Sequence, residues 1–535
     1  MSKLRRFKLA GAAAIAALLL SGCVPAAGTG TGGGETDAAG EPQPGGTLIW
    51  GSRSEPGNGG LDPYIAAVYR STAYLAQTYE TLIVRDDAGE FHPALATEWE
   101  QVDDLTYRFT IRDGVKFADG TDLTVDDVLW SFNHHREVEG DGDVALAKLV
   151  SLEEVEDGVI EFVFSEPNPG FLNTISRRTG SYFVVDQQWY EAADETTRQT
   201  TTNGTGPFTV ESWVQGTELK LVKNEHYWEE GVPYLDGITF KITNGDEGAL
   251  LALVQQNQVD AAWFWSQELA AQAETSGFTL GDPAQTSARS IWIDPTFNDG
   301  ALGDVRVRQA ISLAIDRDAV IELGTNGIGA PTFVTPPAHT DLAAPDAETP
   351  NYQHDPERAK QLLKDAGVEN LEIAITYGDD TSDVASLELI AQQLSEVGIT
   401  LRLNPVPYAE VQNVFTTGAD YPSELVYVVG TRSPDPATAF HEWLNDAGLV
   451  SHWQGHPDAA EAKELLAEIT RNPDLDERVK QIDELNRIVA ENVLILTPYA
   501  TPLAYHLWSD KVHGYQTDQE DGRSLLKYTW LSGQE

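Results

Sequence analysis

Basic residues are scarce in this chain of 535: 35 Lys and Arg stand against 84 Asp and Glu, a formal net charge of -49. So large an excess of carboxylate repels nucleic acid and anionic lipid and favours solubility, which excludes nucleic acid as a partner. It reads as a solvated acidic surface and says nothing more specific about function. Cysteine is nearly absent too. Cys23 is the only one, so no disulfide can form, and the fold relies on its own core, as a chain of this length can. Signatures of catalysis are missing. No G-x-S-x-G elbow occurs, and His441-Glu442-Trp443-Leu444-Asn445 begins like a zinc-protease helix but has Asn445 where the second imidazole is required. The Gly-rich run Gly28 to Gly34 carries no Lys-Ser/Thr and precedes no strand-to-helix turn, so it is linker, not a phosphate cradle. His134-His135 and His452 with His456 are read as solvated or capping histidines, since Gly455 and Pro457 interrupt a helix at the second pair. No metal, no cofactor and no enzymatic step are expected.

What is present begins at the N-terminus. Lys3, Arg5, Arg6 and Lys8 precede an uncharged run from Leu9 to Leu20. At about a dozen residues it fits a signal-peptide h-region and falls short of the roughly 20 that cross a bilayer. Arg5-Arg6 stands one residue out of register with the following Phe for a twin-arginine signal. Leu20-Ser21-Gly22-Cys23 resembles the bacterial lipobox, which implies cleavage before Cys23 and lipidation of its thiol. Residues 24–44 are rich in Gly, Thr, Ala, Glu and Pro without hydrophobic period, a flexible tether.

The remaining stretch of roughly 490 residues is too long for one core, so two or three domains are expected. An apolar fraction of 41% and thirteen Trp argue for packed interiors. Tyr107, Phe109 and Ile111 alternate with polar residues, as does Ile238 to Ile242, and both segments are expected as edge strands of mixed sheets. Leu371, Ile373, Ile375 and Tyr377 alternate, and Val384, Leu387, Ile390, Ala391, Leu394 and Val397 then recur at helical spacing before Gly398. Ile399 to Leu403 is again a strand, which completes a β-α-β unit with a parallel pair. Asp355-Pro356 opens a helix with Ala359, Leu362, Leu363 and Ala366 on one face and Gly367 closing it. Another follows Asp304, with Val307, Ala310, Ile311, Ala314 and Ile315 on one stripe.

Several strings in fixed order resemble one family along the whole chain. They are Gly46-Thr47-Leu48, Leu61-Asp62-Pro63, Tyr79-Glu80-Thr81-Leu82 and Pro93-Ala94-Leu95-Ala96, then Gly114-Val115-Lys116-Phe117 with Asp119-Gly120-Thr121 and Asp126-Asp127-Val128. The order continues with Gly204-Thr205-Gly206-Pro207-Phe208, Asn224-Glu225-His226-Tyr227-Trp228 and Asp304-Val305-Arg306-Val307-Arg308-Gln309-Ala310. The family is the large solute-binding proteins of ATP-driven (ABC) importers, the oligopeptide, dipeptide and nickel-chelate receptors of family 5.

The resemblance implies an α/β fold, two-lobed and periplasmic-binding-protein-like (type II, cluster C), with an extra β-rich domain. Mapped here, residues 1–22 are the signal peptide and 23–44 the tether. Lobe I takes 45–73, 203–282 and 497–535, domain II takes 74–202, and lobe III takes 283–496. It also implies a monomer, lipid-anchored outside the cell membrane, that passes a peptide or similar small solute from an interlobe cleft to ABC permease subunits. A receptor for a nickel chelate or an anionic non-peptide solute, a signalling or chaperone receptor, and an extracellular hydrolase stay open beside it.

Candidate ligand-binding residues are Arg53, in the loop after the first strand, Trp263 and Trp265 directly after Val259-Asp260, and Trp292 just past the lobe crossing. Flat rings with a polar edge suit a cleft that opens and closes. The string Val428-Val429-Gly430-Thr431-Arg432-Ser433-Pro434-Asp435-Pro436 is similar to one in which peptide-binding relatives carry an amine-pairing Asp where Arg432 stands. A guanidinium pairs with carboxylate or phosphate instead, which points to an anionic or carboxylate-bearing solute. With the register shifted, Asp435 takes the amine and Arg432 is a loop charge.

Overall fold

In the computed structural model, residues 40–535 are described except 58, 66–68, 87–89, 140–144, 177–181, 282–283, 297, 333–350, 380, 382, 408–409, 412–421, 431–439, 441–443, 445–452, 518–523 and 534–535. Cys23, Arg432 and Asp435 lie outside the described residues. Residues Pro42–Glu535 form one unit by contact.

The strand Thr47–Ser52 alternates so that Leu48 and Trp50 enter one apolar cluster while Ile49 packs on another. A strand covered on both faces belongs inside a sheet with helices above and below. Accordingly it is hydrogen-bonded in parallel to Gly237–Ile242 on one side and to Ala261–Phe264 on the other. The sheet continues through Ile495–Trp508, Ala284–Ile293, Leu425–Gly430 and Leu371–Gly378 to its edge at Ile399–Val406, and at the opposite end through Glu218–Lys223 to Phe208–Val214. The fourteen-residue strand Ile495–Trp508 is the seam. Residues 495–504 pair with Ala284–Ile293, and residues 505–508 pair with Ala261–Phe264.

Two cores flank that seam. One gathers Ile291 through Tyr499, with the helices Val305–Ala314, Pro356–Asp365 and Val384–Glu396 laid on the strands. The other joins residues from Leu48 to Ile242 with Ala504 to Leu531, and a neighbouring cluster built from Leu250 to Phe278 takes in Tyr505 and Leu507. The architecture is therefore two-lobed α/β. A separate antiparallel sheet, in the order Ala96–Asp103, Thr106–Ile111, Val159–Phe164, Leu149–Glu156, has its own core under the helix Val125–Glu139.

Local expectations meet this fold at named points. The β-α-β unit is present: Leu371–Gly378 pairs in parallel with Ile399–Val406 across the helix Val384–Glu396, and Gly398 adopts φ +91°. The expectation of edge strands is corrected. Thr106–Ile111 lies inside an all-antiparallel sheet and Gly237–Ile242 lies inside the large one, each with partners on both sides. Strict alternation reports which face is buried, and an interior antiparallel strand with one solvated face alternates just as an edge does. The reading of His134-His135 as solvated or capping is also corrected: His135 is buried and stacks on Tyr182, and His134 stacks on Trp130 at 4.6 Å. His456 does cap, its Nδ1 accepting from the Asp458 amide.

Asp355 caps its helix by accepting the Arg358 amide at 2.9 Å, ahead of Pro356 in the first turn. Asp355→Ala is expected to cost about 1 kcal/mol, because the amide it satisfies has no intrahelical acceptor. A urea midpoint unchanged by this substitution would show that water replaces the cap fully. Among the described residues no helix is long and apolar enough to cross a membrane.

Candidate functional site

Strand directions place the site before any side chain is considered. Ile495–Trp508 is antiparallel to both Ala284–Ile293 and Ala261–Phe264. Thr47–Ser52 is parallel to the latter, so it runs against the seam strand. Leu371–Gly378 is parallel to Leu425–Gly430, itself antiparallel to Ala284–Ile293, so it runs with the seam strand. The carboxyl ends of Thr47–Ser52 and Leu371–Gly378 therefore both point toward the place where the seam strand leaves one lobe for the other. Each is also a point where strand order reverses. Thr47–Ser52 sits between Gly237–Ile242 and Ala261–Phe264, and Leu371–Gly378 sits between Ile399–Val406 and Leu425–Gly430. Crevices outside such switch points are where open α/β sheets bind ligands.

A guanidinium–carboxylate pair stands at each. In the first, Arg53 follows Thr47–Ser52, and its Nε lies 3.3 Å from Glu247 Oε1. Glu247 opens the helix Glu247–Gln255 and also accepts the amides of Trp265 at 2.7 Å and Ser266 at 3.0 Å, which clamps the end of Ala261–Phe264. The Arg53 guanidinium lies 3.6 Å above the Trp265 ring. Trp263 sits 6.0 Å from Trp265 and stacks on His506, whose Nδ1 shares a hydrogen bond with the Tyr515 hydroxyl at 2.9 Å.

In the second pair, Arg289 Nε donates to Asp383 Oδ2 at 2.9 Å, both side chains being less than a tenth exposed. Asp383 is the residue before the helix Val384–Glu396, and Arg289 is the register partner of Val429 and Tyr499. Burial, the largest single influence, pulls the Arg289 guanidinium down, but the Asp383 carboxylate together with the Tyr427 and Tyr499 hydroxyls more than offsets it and holds the group above its ordinary value. The Tyr427 and Tyr499 hydroxyls stand 3.4 Å apart. Burial, reinforced by the Asp383 charge, pushes both far up, so they remain hydrogen-bond donors at any physiological pH. Tyr505, where the seam strand enters the other lobe, is raised by burial as well.

The structure thus brings Arg53, Trp263 and Trp265 together in one lobe. Trp292 lies elsewhere, in the core of the other lobe, paired in register with Val426 and Ile495. Glu247, Arg289, Asp383, Tyr427, Tyr499 and Tyr505 were not singled out from sequence. Asp383 carries the weak signal of an Asp ahead of a helical period, but nothing local joins it to an Arg 94 positions away. Chemically, two neutralised ion pairs, phenol donors and indole faces form a surface for a polar solute with apolar parts. Among the described residues the one His/Asp/Glu group close enough to share a metal is Asp86, Glu90 and His92, on the hairpin Ile83–Arg85 with Phe91–Pro93 and not at the switch points.

Three comparisons bear on this geometry. Residues 90–451 match the profile of the bacterial extracellular solute-binding proteins, family 5 (middle region). The chain is 23% identical over 525 residues to the oligopeptide-binding protein AppA of Bacillus subtilis, covering 92% of this chain and 93% of that one. It is 29% identical over 352 residues to the glutathione-binding protein GsiB of Salmonella paratyphi A, covering 64% and 66%. In structure it is similar to the ABC transporter substrate-binding protein CtaP of Listeria monocytogenes, with a TM-score of 0.79 at 21% identity over 92% of this chain and all of that one.

Proposed function

The chain belongs to the bacterial extracellular solute-binding proteins of family 5, and on that premise we propose that it captures a peptide or a similar small solute between its two lobes and delivers it to an ABC permease. The observation that supports this most directly is the pair of switch points, one per lobe, whose carboxyl ends converge on the single strand Ile495–Trp508. A solute bonded to both ends is bound more tightly when the lobes are closed, and that difference in affinity sets the population the permease reads. AppA and GsiB are named for peptide ligands. Peptides carry a free carboxylate, for which Arg432 is the candidate partner in this reading, since Arg53 and Arg289 are already paired with Glu247 and Asp383.

In this reading lobe I is 45–73, 203–282 and 505–535, domain II is 74–202 and lobe III is 283–504, the last crossing standing at 504/505 and not at 496/497 because residues 495–504 pair with Ala284–Ile293. Arg53, Trp263 and Trp265 contribute to binding while Trp292 packs inside the core of the other lobe, and Arg432 reads a solute carboxylate, with Asp435 as the amine acceptor if the ligand is an ordinary free-amine peptide. Cys23 carries the lipid that tethers the protein to the outer face of the membrane, and capture by lobe closure needs no enzymatic step.

A thermal-unfolding screen tests the ligand class. A solute at one hundred times its dissociation constant is expected to stabilise the native state by about 2.7 kcal/mol. Carboxylate-bearing solutes should raise the melting temperature, and Arg432→Ala should remove that rise. Shifts given only by free-amine peptides and indifferent to the substitution would overturn the role of Arg432 and leave peptide uptake standing.

A further inference from the structure

A second cavity, of about 440 Å³, opens where the β-rich domain meets the lobe built on Thr47–Ser52. Its size lies within the roughly 300–1,000 Å³ typical of small-molecule sites. It is walled by the hairpin around Val84 and Pro93, the end of the helix Tyr69–Thr78, the segment Tyr227–Glu229 and the segment Leu526–Tyr528. None of the switch-point residues lines it.

The charges in its wall are unequal. Glu229 is matched: its Oε2 accepts from Lys527 Nζ at 2.6 Å and its Oε1 from the Tyr528 hydroxyl at 2.9 Å. Glu80 is held differently. Its Oε2 accepts from Thr205 Oγ1 at 3.0 Å and Trp228 Nε1 at 2.8 Å, and its Oε1 from the Tyr227 hydroxyl at 3.0 Å. All three donors are neutral, and among the described residues no cation lies within ion-pairing distance of Glu80. Burial pushes its carboxyl up, partly countered by Lys527 and the three donors; the Lys527 ammonium reaches it only through the Tyr227 hydroxyl, to which Nζ lies 3.3 Å. The Arg112 guanidinium stacks on Trp228 at 4.1 Å but is not part of the lining. Around Glu80 the wall offers the rings of Phe183, Tyr227, Trp228 and Tyr528. A carboxylate without a direct cation, framed by aromatic faces, is complementary to a cation carried on an apolar body.

We propose that this interdomain cavity is a second ligand site, separate from the interlobe cleft, for a small organic ammonium compound whose charge docks at Glu80. Calorimetric titration of the full chain with three probes that share a phenyl body decides it: phenethylamine, its uncharged N-acetyl derivative and the anionic phenylacetate. Phenethylamine is expected to bind at least about tenfold more tightly than the other two. Glu80→Gln should erase that preference, since it removes the charge and keeps the shape. Ala76→Phe, which fills the cavity from the end of the helix without touching the Glu80 hydrogen bonds, should abolish binding while leaving the melting temperature within a few degrees. Preference for phenylacetate, absence of phenethylamine binding up to about 10 mM, or binding unaffected by Ala76→Phe would each overturn the proposal.

Discussion

Asp383→Ala is expected to destabilise the lobe containing Ile291 to Tyr499 by roughly 3–5 kcal/mol, the cost of removing one member of a buried ion pair. The substitution leaves the Arg289 guanidinium without the carboxylate that now sits 2.9 Å from its Nε, in surroundings where water cannot replace it. For a unit of about 200 residues, such a loss lowers the melting temperature by roughly 6–20 °C. Removing both charges tests the cause. Arg289→Met combined with Asp383→Leu should recover most of the loss, because apolar groups of similar volume carry no desolvation penalty. The same double variant should still fail to bind the solute if the pair forms part of the cleft. A single variant that melts with the parent protein would show that Asp383 is not the countercharge that keeps Arg289 buried.

Gly204→Ala is the second large effect. The strand-end segment Gly204-Thr205-Gly206 threads between the helix end at Thr78 and Ala118: the Gly206 amide donates to the Thr78 carbonyl at 3.1 Å, and the Ala118 amide donates to the Gly204 carbonyl at 3.0 Å. A Cβ at position 204 would overlap the Thr78 carbonyl oxygen and crowd the Tyr79 ring, and the Thr78 backbone has no side-chain freedom with which to yield. The expected cost is at or above about 3 kcal/mol, the upper end of the range for overpacking. Gly367→Ala is the control. That glycine has φ +72° and nothing within reach of an added Cβ, so only the left-handed backbone penalty of about 1 kcal/mol applies. Equal urea midpoints for the two variants would defeat the steric explanation.

The contrast between these positions shows how far the sequence could be read. Asp355, Pro356 and Gly367 bound a helix through rules that act within a few residues, and the structure has that helix at Pro356–Asp365. The parallel pair around Val384–Glu396 was legible for the same reason. The place of Thr106–Ile111 inside its sheet was not, because its neighbour Val159–Phe164 lies some fifty residues away and the alternation records only which face is buried. Arg53 and Trp265 were each visible as a cation and an aromatic ring near strand ends. That they stack, with Glu247 closing the group, required the parallel pairing of Thr47–Ser52 with Ala261–Phe264.

By itself the sequence determined the class: the strings that resemble family 5, the alternation that makes its strands and the caps that bound its helices are all carried by neighbouring residues. Only the tertiary structure decided the site. Arg289 meets Asp383, and the carboxyl ends at both switch points run toward the lobe crossing, because one strand of fourteen residues pairs with a different lobe at each end. Hydrogen-bond register between distant segments fixes those meetings, and register is a property of the assembled sheet that no local pattern encodes.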